Sequence, residues 1–579
     1  MTLIAGIISR NHRSIPDSAC ESLRQSISRH SDDVVSDFRD DRSYFAKVDI
    51  GAFGEPGLIA EPNGALSLLA GEPLITRGAE AAWQSRQRDL ESIHEELIRG
   101  NREILRRAEG TFCAAHYQPS SATLLLITDK LGLRPLYYWK DENYFAFASA
   151  LRILEQLPLV AKQIDLHAVT EIVALGFPLA DRTPRANISA LKSAEILEVT
   201  ERSISRHCYW RWDELEESSD SEPGHLAEVY ERFQAAVARR IRNDRSTVAY
   251  LSGGLDSRCV VAALAHQGVR VHTFNFARPG TQDQIFGDAF AREIGSVHEA
   301  IPKEAGDHVP DYSSLLARSW GASRKRLSEP ALRSSLAWSG EGGSVLLGHV
   351  HMNQAIVELM RAGKIEAAIE EFCRREYVHI PAKLLKPKTF RTVAGLVTEG
   401  VRSELNTFHS KDAARNFYLF LMLSDQRRKL AGHFENIDLH RLEFQLPFFD
   451  SALIAAIIKV PIELCLAHKF YTKWLQLFQP AVTSVPWQAY PGHEPCPLPA
   501  PPGLVYQWDE KDQPVERASE NKRLRKQVAE LLRAGDFPEE ILSKRNLRLA
   551  SWIHSLGWRD YGHVIKAAQV YHSYWRASQ

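Results

Sequence analysis

No stretch constrains this chain more than Ser252-Gly253-Gly254-Leu255-Asp256-Ser257. The β-branched and aromatic run Thr247-Val248-Ala249-Tyr250-Leu251 precedes it, and the helix-like run Arg258-Cys259-Val260-Val261-Ala262-Ala263-Leu264-Ala265 follows. A buried strand, a tight glycine turn and a helix start make an anion site. The N–H groups there lack intrahelical partners, and the helix dipole favours negative charge. Gly253 and Gly254 let the backbone approach phosphate oxygens, and Ser252 and Ser257 add hydroxyl donors. Asp256 would repel bare phosphate, so a Mg²⁺ between them is implied. The loop lacks the Gly-x-x-x-x-Gly-Lys-Ser/Thr spacing of the Walker type.

After this loop, strand and helix patterns alternate. A strand over Val269–Phe276 and a helix over Asp283–Ile294 follow, the helix closing at Gly295. This order predicts a parallel sheet covered by helices, with ligands at the carboxyl ends of its strands. Phe276 ends the second strand and should face the same ligand as Leu251. The apolar run Ser344-Val345-Leu346-Leu347-Gly348 reads as a later strand, and Ser339-Gly340-Glu341-Gly342 ahead of it reads as a helix-ending turn. Residues 1–212 read as strands and turns and form one domain. The acidic, Ser-rich stretch within 213–225 is the linker, and 226–579 form a second domain that is mainly helical from 355 to 480.

The bulk properties exclude several classes. A formal net charge of −1 in 579 residues gives no global field for nucleic acid. Arg324-Lys325-Arg326 and the cluster at Lys522–Lys526 read as solvated faces, with a peptide or phosphate contact as the alternative. Seven scattered cysteines without a C-x-x-C pair argue for reduced thiols in the cytoplasm. No run reaches the ~18 apolar residues of a membrane span, and the start MTLIAGIISR lacks a signal-peptide pattern.

The loop resembles the SGGxDS pyrophosphate loop of the PP-loop ATPases. Two further stretches extend the resemblance to the asparagine synthetase B-like family of ATP-dependent amide ligases. Asp129-Lys130-Leu131-Gly132-Leu133-Arg134-Pro135-Leu136-Tyr137-Tyr138 is similar to the family's RDxxGxRPLYY, and Glu443-Phe444-Gln445-Leu446-Pro447-Phe448-Phe449-Asp450 to its ExRxPFLD. The resemblance implies an N-terminal nucleophile-type α/β sandwich followed by a PP-loop synthetase domain that splits ATP into AMP and pyrophosphate. It implies Leu251, Ser252, Gly253, Gly254, Leu255, Asp256, Ser257, Phe276 and Gly348 as nucleotide-binding residues, with Asp256 holding Mg²⁺.

Several family features are replaced. The glutaminase cysteine of Met-Cys-Gly-Ile matches Ala5 in Ala5-Gly6-Ile7, and the Asn-Gly-Glu loop matches Ala70-Gly71-Glu72. A methyl group is no nucleophile. Ammonia from glutamine is therefore not expected, and the amine belongs to the substrate itself. This points to macrolactam closure of a precursor peptide, as in lasso-peptide synthesis, with a leader peptidase as a companion. A β-lactam synthetase-like or ammonia-dependent asparagine synthetase-like enzyme, and a non-catalytic ATP- and peptide-binding protein, are the alternatives. The second acidic motif, SGEGxDE, has no acid after the 344–348 run, where His349 and His351 stand. The family's transition-state lysine is missing near Trp487 or Gln488, leaving Lys469 or Lys544 as substitutes. Asp425 or Glu435 is the candidate base, with His349 as a proton-transfer group. The proline- and aromatic-rich Val485–Pro497 loop suits gripping a peptide.

Overall fold

The computed structural model describes residues 2–76, 85–303, 311–326, 331, 333–376, 378–510 and 514–578. Its amino half stacks two antiparallel sheets of six strands each. Thr2–Ser9 lies inside the first sheet, between Ser43–Asp49 and Tyr144–Ala148. Every residue of this strand is buried because both faces are covered. Ile4 and Ile8 point into the layer between the sheets, where Phe45, Leu68 and Leu126 meet them. Leu3, Ala5 and Ile7 point the other way, beneath the helix Asp17–Ser26. Such double burial explains the unbroken apolar run. Gly6 is required here, since a Cβ would stand 2.6 Å from the Phe45 ring and 2.7 Å from that of Phe147.

The second half is built on a five-stranded parallel sheet. Its order is Val297–Ala300, Arg270–Asn275, Ser246–Tyr250, Leu336–Trp338, Glu443–Gln445. Chain order runs outward from Ser246–Tyr250 to one edge, then returns beside it to fill the other. The point of reversal lies between Ser246–Tyr250 and Leu336–Trp338, where open α/β sheets place their ligands. Helix Glu222–Ile241 leads in, capped by Ser221, so the extended connection ends before it.

The expectation for 336–348 is overturned. The strand is Leu336–Trp338, and Gly343–Leu346 is helical. Ser339–Gly342 therefore follows a strand instead of preceding one. Burial alone makes Val345-Leu346-Leu347 apolar, and a short apolar run does not distinguish a buried strand from a buried helix turn.

The two halves share one apolar core. Buried charged contacts between them involve the recognised motifs. Arg134 Nη2 lies 2.5 Å from Glu443 Oε2, with both side chains buried. Glu443 also accepts from the Thr2 N–H at 3.3 Å. Glu72, from the stretch matched to the glutaminase loop, pairs with Arg242 at 2.7 Å and accepts from Gln445 Nε2 at 2.7 Å. The helices Pro514–Arg533, Lys544–Ser555 and Gly562–Arg576 pack with helix Leu166–Leu175 of the amino half in a separate apolar cluster. Among the described residues no single helix is long and apolar enough to cross a membrane.

Candidate active site

Two glycine loops meet at the sheet's point of reversal. The first is Ser252–Ser257, between strand Ser246–Tyr250 and helix Asp256–His266. The second is Ser339–Gly343, after strand Leu336–Trp338. They touch backbone to backbone. A Cβ on Gly340 would lie 2.4 Å from Ser257 N, and one on Gly343 would lie 2.6 Å from Asp256 Cγ. Only glycine permits either approach.

The first loop is held by its own side chains. Ser252 N–H donates to Ser257 Oγ at 3.0 Å, and Gly254 N–H to Ser252 Oγ at 3.2 Å. Gly253 N–H donates to Asp283 Oδ1 at 2.6 Å, at the start of helix Gln282–Ile294. Leu251 N–H donates to Phe274 O at 2.9 Å, which fixes the loop's entry. Leu255 is buried at the helix start.

Asp256 is the chemical centre of the pair. Ser344 donates to it twice, from N–H to Oδ2 and from Oγ to Oδ1, each at 2.9 Å. Tyr471 OH donates to Oδ1 at 2.8 Å. Burial nevertheless raises the Asp256 carboxyl above its ordinary value, because desolvation outweighs these hydrogen bonds. Glu341 is raised too, by burial first and then by the charge of Asp256. Glu341 itself remains open to solvent.

Ser339-Gly340-Glu341-Gly342-Gly343-Ser344 thus fits the SGEGxDE motif in the right place, with Ser344 where the motif has Asp. Among the described residues no group of three acids, histidines or cysteines is placed to hold a metal. The donor set fits a Mg²⁺ carried in on a triphosphate, with Asp256 and Glu341 as its protein carboxylates. Such an ion is usually held by one or two carboxylates plus phosphate oxygens. The set does not fit a metal held by protein alone.

The cleft of about 670 Å³, its open mouth included, is walled by Ser252, Gly254, Asp256 and Ser344 on one side and by His468, Gln488, Tyr490 and Trp508 on the other. The Val485–Pro497 loop forms much of that second wall. Arg258, from the helix after the first loop, anchors its start by donating to the carbonyls of Val482, Val485 and Pro486 at 3.0, 2.6 and 2.7 Å. Gln488 N–H donates to Gly253 O at 2.9 Å, and its side chain reaches Asp283 Oδ1 at 3.3 Å. Gln488, which with Trp487 lies near the expected lysine position, thus presents a neutral amide tied to the loop. His468 contacts His493, Nδ1 to Nδ1, at 2.5 Å, and burial with that neighbour lowers its pKa to about 3. It is neutral at ordinary pH.

Several residues expected in the site lie elsewhere. Gly348 ends the short helix and packs on His468, where a Cβ would meet the ring at 2.5 Å, so it supports the wall from behind. His349 is fully buried with φ +46° and stacks on Tyr418 at 4.4 Å between centroids. Burial first, then Arg415, holds it far below the usual imidazole range, so it stays neutral. Glu435 accepts from Tyr137 OH at the contact between the two halves, away from the loops, and burial raises its pKa. Lys469 is exposed at the start of helix Lys469–Trp474, and Lys473 pairs with Glu222 at 2.7 Å. Lys544 pairs with Glu539 at 2.6 Å, in the C-terminal helical cluster.

Asp425 lies in a π-helical segment, Leu421–Gln426, and holds Lys429 at 2.8 Å. The field of Lys429 offsets part of the rise in the Glu341 pKa. Phe276 is half-buried among Tyr250 and Tyr312 at the sheet's carboxyl edge, outside the cleft wall. Sequence reasoning missed Tyr471, His468 and Ser344, whereas Tyr490 belongs to the Val485–Pro497 loop expected at the site. Tyr471 sits two residues after the candidate Lys469, on helix Lys469–Trp474, and Ser344 is hidden by the apolar run that imitates a strand.

Glu341 gives a pH prediction. Unfolded, it titrates near 4.5, and folded its pKa is higher. The folded state loses stability as pH rises through that window. Glu341→Gln should therefore melt above the wild type at pH ~8, and the difference should vanish near pH ~4, where both side chains are neutral. Thermal melts across pH check this; a gain independent of pH would contradict it.

Comparison with known proteins covers both halves. A family model described as glutamine amidotransferase domain matches residues 76–210, and one described as asparagine synthase matches 228–476. The second match encloses both glycine loops; the first begins after the Ala5 strand. Asparagine synthetase [glutamine-hydrolyzing] 3 of Bacillus subtilis is 28% identical over 184 residues, covering 31% of this chain and 29% of that protein. Putative asparagine synthetase [glutamine-hydrolyzing] 2 of Methanocaldococcus jannaschii is 27% identical over 284 residues, covering 45% and 53%. The chain thus spans from under a third to about half the length of these relatives. Among solved structures, glutamine phosphoribosylpyrophosphate amidotransferase from B. subtilis aligns over 52% of this chain and 80% of its own, at 11% identity and a TM-score of 0.25, too slight to carry an argument.

Proposed function

We propose that this chain, which belongs to the asparagine synthetase-like family, is an ATP-dependent carbon–nitrogen ligase that activates a carboxylate for attack by an amine of the same substrate. The backbone contact of Gly340 on Ser257 carries the reading. It brings the loops after two adjacent parallel strands together at the sheet's point of reversal. The positive end of helix Asp256–His266 and the N–H groups of its first turn would bind the phosphates. Asp256 and Glu341 would face the ion on the triphosphate, which supplies charge neutralisation when bound. Ser344 and Tyr471 hold the Asp256 carboxylate in place. The second wall excludes water from the activated carboxyl group, and its aromatic side chains offer contacts for an extended peptide.

Ala5 supports an amine borne by the substrate. It is wholly buried in mid-strand, opposite Ala46 and Ala148, and presents only a methyl group. Macrolactam closure of a precursor peptide meets this requirement, because holding both ends in one cleft lowers the entropic barrier to attack. The test offers the protein Mg·ATP with linear peptides carrying a free α-amine and an Asp or Glu side chain. Loss of one water from a peptide supports the reading. Asparagine formed from aspartate and ammonia contradicts it.

One observation favours a second reading, a protein that binds ATP and peptide without turnover. Ser344 stands at the motif position of an acid, and among the described residues no lysine or arginine lines the cleft. Binding of both ligands with no product from any offered substrate would favour it.

A further inference from the structure

The C-terminal helical unit displays an apolar face turned to solvent. Among the described residues ten large hydrophobic side chains are exposed, and four of them, Leu549, Trp552, Leu556 and Trp558, fall within one short stretch. Such residues scattered singly are ordinary; clustered, they mark an interaction site. Helix Lys544–Ser555 turns Leu547, Ala550 and His554 into the apolar cluster beneath it. Leu549, Trp552 and Leu556 follow at helical spacing on the outer side. Gly557, at φ +70°, then reverses the chain and returns Trp558 to Trp552. The two rings meet edge to face at 5.5 Å, with Trp552 54% and Trp558 71% exposed.

Basic side chains flank this face. Arg545 and Arg548 lie exposed on the same helix, and Arg559 follows Trp558. Arg525 donates to Ser555 O at 2.7 Å, which brings the basic stretch at Lys522–Lys526 beside the helix end. Of the nearby acids, Asp560 is engaged with Gly562 N–H and His554, Glu520 with Arg523 and Lys566, and Glu530 with Lys526.

We infer that this face docks on an anionic lipid surface. Trp and Leu on one helix face, ringed by arginine and lysine, are the composition of helices that lie in the interfacial plane. Tryptophan prefers the headgroup level, and each basic residue near an anionic leaflet adds to the attraction. The exposure of Trp558 matters most. A ring standing mostly free on a turn suits insertion into a deformable surface, whereas a rigid protein partner would need a matching pit. The inference is independent of the ligase reading, since it needs neither ATP nor the cleft.

The experiment uses the full chain without nucleotide and co-sediments it with vesicles. Wild type should pellet with phosphatidylglycerol–phosphatidylcholine vesicles, stay in solution with phosphatidylcholine alone, and be released by salt. Trp552→Ser with Trp558→Ser should weaken binding by about tenfold or more, and Arg548→Glu alone should weaken it measurably. All three side chains are exposed, so the melting temperature should not move. The inference is overturned if the wild type ignores anionic vesicles, or if binding survives loss of both tryptophans. A wild-type dimer that Trp558→Ser converts to monomer would also overturn it, by showing that a second copy covers the face.

Discussion

Gly340→Val should abolish nucleotide binding while leaving the fold intact. The substituted Cβ would stand 2.4 Å from Ser257 N and 2.6 Å from the Asp256 carbonyl carbon. Both are backbone atoms, so neither swings aside as a side-chain tip would. The second loop must retreat, which opens the contact that shapes the phosphate site. It would also pull Ser344 away from Asp256, breaking the two hydrogen bonds that fix the carboxylate. Titration of Mg·ATP should show binding to wild type and none to Gly340→Val at the same protein concentration. A control at Gly363, whose Cβ meets nothing within 4 Å, separates general glycine effects from this contact, although its own φ of +70° calls for asparagine as the replacement. Equal binding by wild type and Gly340→Val would remove the second loop from the site.

Glu443→Gln should destabilise the whole chain. Glu443 is fully buried and pairs with Arg134 at 2.5 Å, while Arg134 is almost as buried. Removing one charge of a buried pair leaves the other uncompensated, at a cost of about 3–5 kcal/mol. The Thr2 N–H also loses a charged acceptor. Denaturant unfolding should show that loss for Glu443→Gln. The double variant Arg134→Met with Glu443→Leu should recover much of it, since an apolar pair of similar volume replaces a desolvated ion pair. A single variant as stable as wild type would mean that this ion pair adds nothing to the joining of the halves.

Much of this is legible in the sequence, for identifiable reasons. Ser252–Ser257 stands out because its strand, turn and helix are adjacent in the chain and each follows local rules. Arg134 and Glu443 belong to separate recognisable motifs, but nothing local says that they bond to each other. The second glycine loop escapes a sequence reading because its strand is three residues long, while the apolar Val345-Leu346-Leu347 that follows imitates one. Glu435 is a reasonable base by residue type, yet which face of its helix meets the cleft depends on tertiary packing. That packing turns it toward Tyr137. Gln488 falls near the missing lysine in sequence, but its place against Gly253 depends on Arg258 anchoring the loop's start from a distant helix.

The substitutions at Ala5, Ser344 and Gln488 share a direction. Each replaces a reactive or charged group of the family pattern with a neutral one, while the backbone that shapes the site is kept. The site thus retains the glycine contacts and the helix start, with Asp256 in the cleft wall and Glu341 on the adjoining second loop.

Whether the paired glycine loops serve an adenylating enzyme is decided by the identity of the nucleotide products. With Mg·ATP and a peptide that the protein cyclises or condenses, phosphorus NMR should show AMP and pyrophosphate appearing together, one of each per bond formed, and neither with Asp256→Ala. ADP and orthophosphate in their place would refute adenylation, because the two loops would then not be gripping pyrophosphate as a leaving group.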